Sequence, residues 1–349
     1  KKVLEFFSVK DYDNWRSKNN TKGWTSKYYK GLGTSTPQES REYFKKLNVV
    51  NYTSNAETDK KAIDLAFSKV EGSSDIRKEW LGSYDKNDTL DYNEKTVSIT
   101  DFVNKDLKHF SNSDNCRSIP NMVDGLKTSQ RKVLFTALKR NLVKEIRVAQ
   151  FAGSVSEMSA YHHGEMSLNS TITNMAQDFV GSNNINLLDP IGQFGSRLSG
   201  GKDSAQPRYI HTKLMDITKK IFNQNDFKLL DYKDDDGVLV EPVYYMPIIP
   251  MILINGSTGI GTGWSTEIPC FNPKDIIANI LNIINNKDYI ELIPYYRGFT
   301  GTIEKIGDKQ FKSNGKYHFK KDDVLVIEEL PIGVWTDKYK EYLESITID

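Results

Sequence analysis

The stretch PIGQFGSRLSGGKDSAQPRYIHT, from Pro190 to Thr212, guides the interpretation of the whole chain. Four glycines fall between Gly192 and Gly201, with Arg197 among them and Lys202 directly after, which predicts a loop whose backbone can approach a polyanion. Arg208 and Tyr209 follow. A free tyrosine holds its proton with a pKa of about 10, and an adjacent guanidinium favours the phenolate and can bind phosphate oxygens. Such a pair is common by chance, so its surroundings must decide its meaning.

Four further blocks accompany this loop. They are KYYKGLGTST (27–36), SIPNMVDGLKTSQRKV (118–133), AQFAGSVSEMSAYHHGEMS (149–167) and IIPMILINGSTGIGTGWS (248–265). Together with the loop they resemble eukaryotic DNA topoisomerase II, in the same order and over most of the chain. The resemblance implies a fragment of the DNA cleavage-religation core of a type IIA topoisomerase.

Bulk properties bound the class of protein. A chain of 349 residues with 38% hydrophobic composition can fold as two or three domains. It has no run of about twenty apolar residues, so no membrane association is expected. Two cysteines, Cys116 and Cys270, suit a reducing intracellular compartment, and the resemblance implies the nucleus. The chain lacks an initial Met and stops at Asp349 in a charged helical pattern, which suggests a piece of a longer polypeptide.

The net charge of +1 hides strong segregation. Between Arg117 and Arg147, eight Lys and Arg residues stand against two acids, a local charge of +6. Between Asp226 and Glu241, six acids stand against two lysines. A basic cluster is typical of phosphate binding, although a solvated helix face gives the same pattern.

The expected fold class is multidomain α/β. The resemblance divides the chain into the end of a TOPRIM α/β domain (1–58), a helical connector and linker (59–109), a winged-helix domain with the tyrosine (110–248) and part of an α/β tower domain (249–349). Alternation predicts strands at 3–9 and 24–29. Thr36 or Ser35 before Pro37 predicts a helix start, and further helices are expected over 129–140, 167–179 and 273–285, with a short strand over 323–327.

In the predicted helix 129–140, apolar spacing places Val133, Leu134, Ala137 and Leu138 on one face and leaves Arg131, Lys132 and Lys139 elsewhere. The resemblance implies that several residues contact DNA. They are Arg77, Lys78, Lys127, Arg131, Lys132, Tyr161, His162, Ser167 and Ile260.

His162 and His163 are adjacent, so they point to opposite sides of the chain and at most one is expected to reach the chemistry. A lone histidine is more often structural than catalytic. The resemblance places His163 near the scissile phosphate, where it can assist proton transfer. His211, two residues beyond the tyrosine, has no functional explanation.

Two motifs allow competing interpretations. The run GSTGIGTG (256–263) has glycines typical of a phosphate loop, but no lysine and no helix follow directly. The resemblance makes Ile260 an apolar wedge between base pairs. Asp234 to Asp236 can be read as a metal site, but a solvated turn is favoured, and no metal ligand is assigned in this chain.

The resemblance implies that Tyr209 attacks a DNA phosphorus and forms a 5′-phosphotyrosyl link, aided by Arg208 and His163. It also implies Mg²⁺ held by acids upstream of this chain, ATP bound by another domain, double-stranded DNA as substrate and a homodimer. A bacterial gyrase or topoisomerase IV is disfavoured, because those enzymes place TOPRIM and winged-helix domains on separate polypeptides. A non-cleaving DNA-bending protein on the same fold is the alternative of another class.

Overall fold

The computed structural model describes residues 2–29, 32–47, 49–91, 94–235, 237–321 and 323–346. The chain divides into two compact units. The first comprises residues 1–115 with 262–264, and the second comprises 116–261 with 265–349. The mixed helix and strand content expected of an α/β chain is confirmed. The four-part division of the sequence stays a prediction.

The first unit is mainly helical. Its elements are α1 (Val9–Lys18), α2 (Pro37–Lys45), β1 (Asn51–Thr53), α3 (Ala56–Phe67), α4 (Ser73–Gly82), β2 (Thr96–Ser98), α5 (Ile99–Phe102) and most of α6 (Lys108–Ser118), with a 3₁₀ turn at Leu32–Thr34 and a π-helical turn at Val103–Leu107. Strands β1 and β2 pair in parallel.

The strands predicted over 3–9 and 24–29 are wrong. Ser8 begins α1 instead, since its hydroxyl accepts a hydrogen bond from the Asp11 amide at 3.1 Å. Phe6 and Trp24, one from each of these stretches, pack against Trp15 of α1, with ring centres 5.7 and 5.2 Å apart. Residues 3–7 and 24–29 form neither helix nor strand.

The predicted start of α2 is confirmed. The Thr36 hydroxyl accepts from the Glu39 amide, and the Glu39 carboxylate accepts from the Thr36 amide, which is a capping box, with Pro37 in the first turn. The Thr36 amide, the Tyr29 hydroxyl and the Lys27 ammonium lower the pKa of Glu39 to about 2. Residues 30 and 31 of the neighbouring glycine turn lie outside the described residues.

A small core closes the first unit between α3, α4 and the π-helical turn. It contains Ala62, Trp80, Leu81 and Val103. The buried Trp80 indole donates to the Asn104 amide oxygen at 3.1 Å, which satisfies its polar atom. The helices expected within the connector are confirmed by α3 and α4.

The second unit holds the larger core. Its elements are α7 (Thr128–Lys139), β3 (Ile146–Arg147), α8 (Val148–Met158), α9 (Glu165–Ala176), β4 (His211–Thr212), α10 (Asp216–Ile221), a 3₁₀ segment (Gln224–Leu229), β5 (Tyr232–Asp235), β6 (Val238–Pro242), α11 (Met251–Ile254), β7 (Ser257–Ile260), β8 (Ser265–Ile268), α12 (Pro273–Ile284), β9 (Thr302–Gly307), β10 (Gln310–Asn314), β11 (Lys316–Lys321), β12 (Val324–Glu329) and α13 (Thr336–Ile346). Its strands pair two by two and antiparallel.

Helices α7, α8 and α9 build this core. The predicted apolar face of α7 is confirmed, because Val133, Leu134, Ala137 and Leu138 are all buried. Helix α8 adds Phe151 and Val155, and its sequence had not been singled out as a helix. The predicted helices at 167–179, 273–285 and the strand near 323–327 appear as α9, α12 and β12, each shifted by a few residues at its ends.

Candidate active site and nucleic-acid interface

Tyr209 lies on a surface turn whose backbone is fixed from both sides. Its amide donates to the Gln206 carbonyl at 2.9 Å. The first two amides of α8, from Val148 and Ala149, donate to the carbonyls of Ile210 and Pro207 at 3.0 and 3.1 Å. The turn therefore satisfies amides that a helix start leaves without partners. The core of the second unit holds the tyrosine backbone in place.

The phenol itself points outward. The Tyr209 side chain is 67% exposed, while the next residue, Ile210, is 2% exposed. The guanidinium carbon of Arg208 lies 4.8 Å from the centre of the Tyr209 ring, a cation–π distance. Two exposed groups of complementary chemistry thus stand together on a rigid base. This arrangement suits a nucleophile that must meet a large anionic substrate.

His211 acts through its backbone. It pairs with Arg147 across β3 and β4, and its amide and carbonyl exchange hydrogen bonds with Ile191 at 2.9 and 3.1 Å. The residue after the tyrosine turn is therefore tied to the start of the glycine-rich loop. This gives His211 a structural position, although its side chain has no assigned role.

The glycines of the loop serve close packing within the protein. At Gly195 (φ 96°) an added Cβ would overlap the Gly201 backbone, and at Gly192 (φ 113°) it would lie 3.1 Å from Ile210. The buried Gln177 side chain donates to the Phe194 carbonyl at 2.9 Å. The sequence suggested that these glycines let a polyanion approach, whereas the structure uses them to close the loop on itself.

The basic residue at the centre of the loop, Arg197, is also used internally. Its guanidinium pairs with the Glu329 carboxylate and donates to the Leu330 carbonyl at 2.6 Å. Although burial raises the pKa of Glu329, hydrogen bonds from Thr300 and the charge of Arg197 outweigh it and lower that pKa. Partners 132 residues apart cannot be found from local sequence, so this pair was missed.

The two histidines contact different residues. His162 pairs with Asp235 on the β5–β6 hairpin, with Nε2 3.2 Å from the carboxylate. The exposed His163 packs its ring edge-on against Tyr161, with ring centres 5.4 Å apart. Tyr161 is buried and therefore supports His163 rather than forming an open contact surface. Ser167 lies exposed in the first turn of α9, directly after these residues.

The expected exposure of Arg131 is wrong. The residue is 3% exposed, and its guanidinium pairs with the buried Asp124 carboxylate at 2.7 Å and donates to the Leu126 carbonyl at 2.8 Å. Arg131 stands three residues before Leu134 and seven before Leu138, a helical spacing that places it on the apolar face. That spacing was the available signal.

Lys132 also has its charge paired within the protein. Its ammonium pairs with the buried Glu241 carboxylate at 2.6 Å and donates to the Ser159 carbonyl. Lys127, in contrast, precedes α7, and its backbone amide donates to the Gln130 side chain at 2.9 Å. Arg131 and Lys132, which were expected to meet DNA, are thus paired with buried carboxylates, whereas Lys127 lies just before the helix.

Ile260 is exposed as predicted. It ends β7, opposite Ser265 of β8, and its side chain is 77% exposed. Gly256 and Gly259 have no room for a Cβ, since the Ile268 and Ser118 carbonyls lie against them. The glycine run is a hairpin with no helix directly after it, so a nucleotide-binding loop is excluded here.

Arg77 and Lys78 lie half-buried on α4 of the first unit. Arg77 donates to the Ser68 carbonyl at 2.9 Å, and Lys78 pairs with Asp75 at 2.8 Å. Both cations therefore have partners within their own unit. A phosphate contact by either residue stays a prediction.

The acidic run of the β5–β6 hairpin forms a turn in its described part. Asp234 accepts a hydrogen bond from the Gly237 amide at 2.9 Å, and Asp235 pairs with His162, while Asp236 lies outside the described residues. The described residues contain no group of three His, Cys, Asp or Glu side chains suited to a metal ion. In the same part of the chain, no helix combines the length and apolarity needed to cross a membrane.

Two known protein families match this chain. The family of the DNA gyrase/topoisomerase IV A-subunit matches residues 117–349, and the C-terminal associated domain of TOPRIM matches residues 1–115. Because the first match covers more than half of the chain, the chain belongs to this DNA gyrase/topoisomerase IV family. The resemblance seen in the five sequence blocks is confirmed.

The similar proteins within this family are eukaryotic. The chain is 51% identical to DNA topoisomerase 2 of Arabidopsis thaliana over 100% of its length, covering 24% of that protein. It is 51% identical to DNA topoisomerase 2 of Saccharomyces cerevisiae, covering 98% of the chain and 24% of the relative. The human DNA topoisomerase 2-alpha is 49% identical, covering 98% and 23%. The chain thus spans about a quarter of the length of these relatives.

A solved structure agrees with the sequence matches. The DNA-binding, cleavage and re-ligation domain of Plasmodium falciparum topoisomerase II superposes with a TM-score of 0.82 at 48% identity. The match covers 99% of this chain and 47% of that chain. At this identity, the similarity extends to the fold of the whole described chain.

Proposed function

We propose that this chain is the central part of the DNA cleavage-religation core of a type IIA topoisomerase, which cuts and rejoins double-stranded DNA through Tyr209. The observation that carries the proposal is the exposed phenol beside the Arg208 guanidinium, on a turn fixed by α8. The shared name of the relatives supports this activity. Strand passage driven by ATP belongs to the longer protein.

In the proposed reaction, the Tyr209 oxygen attacks a backbone phosphorus and the DNA 3′-oxygen leaves. The phenol loses its proton, a tyrosyl–phosphate bond forms and the bond to the 3′-oxygen breaks. Arg208 offsets the negative charge that develops on the phosphate oxygens. His163 assists proton transfer. Since one phosphoester replaces another, the reverse attack by the 3′-oxygen reseals the strand.

The proposed DNA contacts are revised by the environment of each residue. Lys127, His162, Ser167 and Ile260 are retained on the second unit, and Arg77 and Lys78 on the first. Arg131 is not retained, since its charge is buried with Asp124. Lys132 and Tyr161 are reassigned to support the elements that carry the contact residues.

The finer architecture follows the family resemblance. We assign residues 1–58 to the end of a TOPRIM domain, 110–248 to a winged-helix domain and 249–349 to part of a tower domain. Two strands need two tyrosines, so a homodimer is proposed, acting in the nucleus. Mg²⁺ and ATP are proposed for the longer protein. The described residues contain no group of three His, Cys, Asp or Glu side chains that could bind a metal ion, and we assign no step of the reaction to a metal held by them.

The test is covalent capture by the longer protein. Tyr209→Phe should abolish protein-linked DNA on a denaturing gel while DNA binding measured by fluorescence anisotropy is retained. Arg208→Ala should slow cleavage more than it weakens binding, because its charge acts on the transition state. Wild-type amounts of linked DNA in Tyr209→Phe would reject Tyr209 as the nucleophile. A wild-type protein that bends DNA without linkage would favour the non-cleaving alternative.

A further inference from the structure

The outer side of the glycine-rich loop is held by a distant stretch of the same unit. We call residues 192–205 the tyrosine loop and residues 329–337 the docking segment. Arg197 of the loop pairs with Glu329 and donates to the Leu330 carbonyl at 2.6 Å. The Asp337 amide donates to the Leu198 carbonyl at 3.0 Å. Side-chain and backbone contacts therefore join the two segments.

Trp335 of the docking segment covers the far end of the loop. At Gly200 (φ 61°), an added Cβ would overlap the indole ring, so only glycine permits this approach. The indole also meets the Phe179 ring edge-on, with ring centres 6.0 Å apart. An aromatic side chain is thus fitted between the loop and the segment that follows α9.

Glu329 is the electrostatic centre of this contact. It is 7% exposed, and its two carboxylate oxygens have different partners. One pairs with Arg197, and the other accepts from the Thr300 amide and hydroxyl, both at 3.0 Å. A buried carboxylate with every oxygen occupied resists displacement, because losing one partner leaves a desolvated charge.

The inner side of the loop connects this contact to the tyrosine turn. The Ser196 amide and hydroxyl donate to the Asp203 carboxylate at 2.9 and 2.6 Å. The Ala205 amide donates to the Gln193 carbonyl at 2.8 Å, four residues before Tyr209. Hydrogen bonds within the loop and contacts from the docking segment therefore restrain it together. Its position therefore sets where the tyrosine turn begins.

We propose that Arg197, Glu329 and Trp335 are positioning residues, which fix the tyrosine loop so that Tyr209 meets the scissile phosphorus in line. The inference rests on the proposed function of Tyr209. It gives Arg197 a role within the protein, although a basic residue in a glycine-rich loop suggests a phosphate contact. It also gives residues more than a hundred positions downstream of the tyrosine an effect on the rate of cleavage.

The two possible roles of Arg197 predict different effects of the Arg197 and Glu329 variants on DNA binding and cleavage. As a phosphate contact, Arg197→Ala would weaken DNA binding and reduce the slope of affinity against salt by about one, and Glu329→Gln would leave cleavage intact. As a positioning pair, both variants would slow cleavage alike. Misplacement of a reacting group by about 1 Å can cost roughly 100-fold in rate, so a loss of about 10-fold or more is expected.

The experiment uses the longer protein with Arg197→Ala, Glu329→Gln and Trp335→Ala. The rate of covalent complex formation is measured in a single turnover at saturating DNA, together with the DNA dissociation constant and its salt dependence. The expected result is a slower rate in all three variants with an unchanged salt slope. Arg197→Lys, which keeps the charge but not the fork, should recover part of the rate. Lys338→Ala, which removes an exposed cation beside the docking segment, is the matched control and should cleave as wild type.

Two results would overturn the inference. One is a full cleavage rate at saturating DNA in folded Glu329→Gln or Trp335→Ala. The other is an Arg197→Ala variant whose only defect is weaker, less salt-dependent binding. Where Arg197→Ala does not fold, Arg197→Lys and Glu329→Gln are measured in its place, and an unchanged rate in both rejects the proposal. Tyr209→Phe is run in parallel, because covalent linkage in that variant rejects the nucleophile itself and not the positioning role.

Discussion

The burial of Arg131 shows how a single charged residue can be misplaced from composition. It belongs to the most basic stretch of the chain, yet its guanidinium and the Asp124 carboxylate neutralise each other in the interior. The same carboxylate accepts the Tyr245 amide at 2.9 Å and the Leu126 amide at 2.9 Å. The pair therefore organises three segments of backbone around the start of α7.

We predict that Arg131→Ala destabilises the second unit by about 3–5 kcal/mol, because it leaves Asp124 buried without a counter-charge. Chemical denaturation of the second unit measures this loss. Lys144→Ala removes the same charge from an exposed site and should change the free energy of unfolding by less than about 0.5 kcal/mol. Similar small effects in both variants would contradict the structural role given to Arg131.

At the scale of elements, the β7–β8 hairpin presents an apolar side chain that contributes little to the core. Ile260 is exposed, whereas the neighbouring Gly259 is buried against the Ser118 carbonyl. An exposed isoleucine at a hairpin end gains no stability from burial, which favours a binding role.

Ile260→Ala should reduce DNA bending and cleavage in the longer protein while its melting temperature stays within about a degree, since no core cavity is created. Bending is followed by energy transfer between the ends of a labelled duplex. Thr258→Ala changes the same face of the same strand two residues away and should leave bending unchanged. A large fall in melting temperature with normal bending would end the wedge hypothesis.

The tyrosine loop carries a pH-dependent contribution to stability through Asp203. Hydrogen bonds from the Ser196 hydroxyl and amide lower the pKa of Asp203 below its ordinary 3.8. A lowered folded-state pKa stabilises the fold above the unfolded value and loses that effect as pH falls through the folded value.

Asp203→Asn should therefore melt below wild type at neutral pH, and the difference should narrow as pH falls through about 3.8 towards the lower folded-state pKa. Thermal melts across pH 7 to 3, in about half-unit steps, measure the difference. Ser196→Ala removes the donor from the other side of the contact and should show the same convergence. A difference that persists unchanged at acidic pH would mean that Asp203 acts by packing alone.

Across the whole molecule, the described residues contain no group of three His, Cys, Asp or Glu side chains suited to a metal ion. The acidic hairpin run is engaged within the protein, since Asp234 accepts the Gly237 amide and Asp235 pairs with His162. We place the Mg²⁺ proposed for the longer protein on acids outside these 349 residues, as the family resemblance implies.

Residues 1–349 alone should bind duplex DNA without cutting it, and should show no Mg²⁺ binding at Asp234 to Asp236. Anisotropy, a denaturing gel with added Mg²⁺ and calorimetric titration measure the three properties. The longer protein serves as the positive control for cleavage. Cleavage by the isolated 349 residues, or an ordered ion at Asp234 to Asp236, would contradict the proposal that the metal ion is bound outside this chain.

Features that depend on neighbours a few residues apart were readable from the sequence. The capping box at Thr36 and the apolar face of α7 were both readable, because a cap spans three residues and a helix repeats every 3.6. The exposure of Ile260 was also predicted correctly. The strands predicted at 3–9 and 24–29 were wrong, since residues 3–7 and 24–29 have no regular structure and Ser8 caps a helix that begins at Val9.

The partner of each buried charge and each crowded glycine depends on how distant segments of the chain pack together. Arg197 pairs with Glu329 across 132 residues, and Lys132 pairs with Glu241 across 109. Gly200 faces Trp335 rather than a ligand. Such pairings follow from the way distant segments pack and exclude water, since a buried charge or a crowded backbone is stable only with its particular partner in place. A local sequence pattern therefore does not predict these long-range partners.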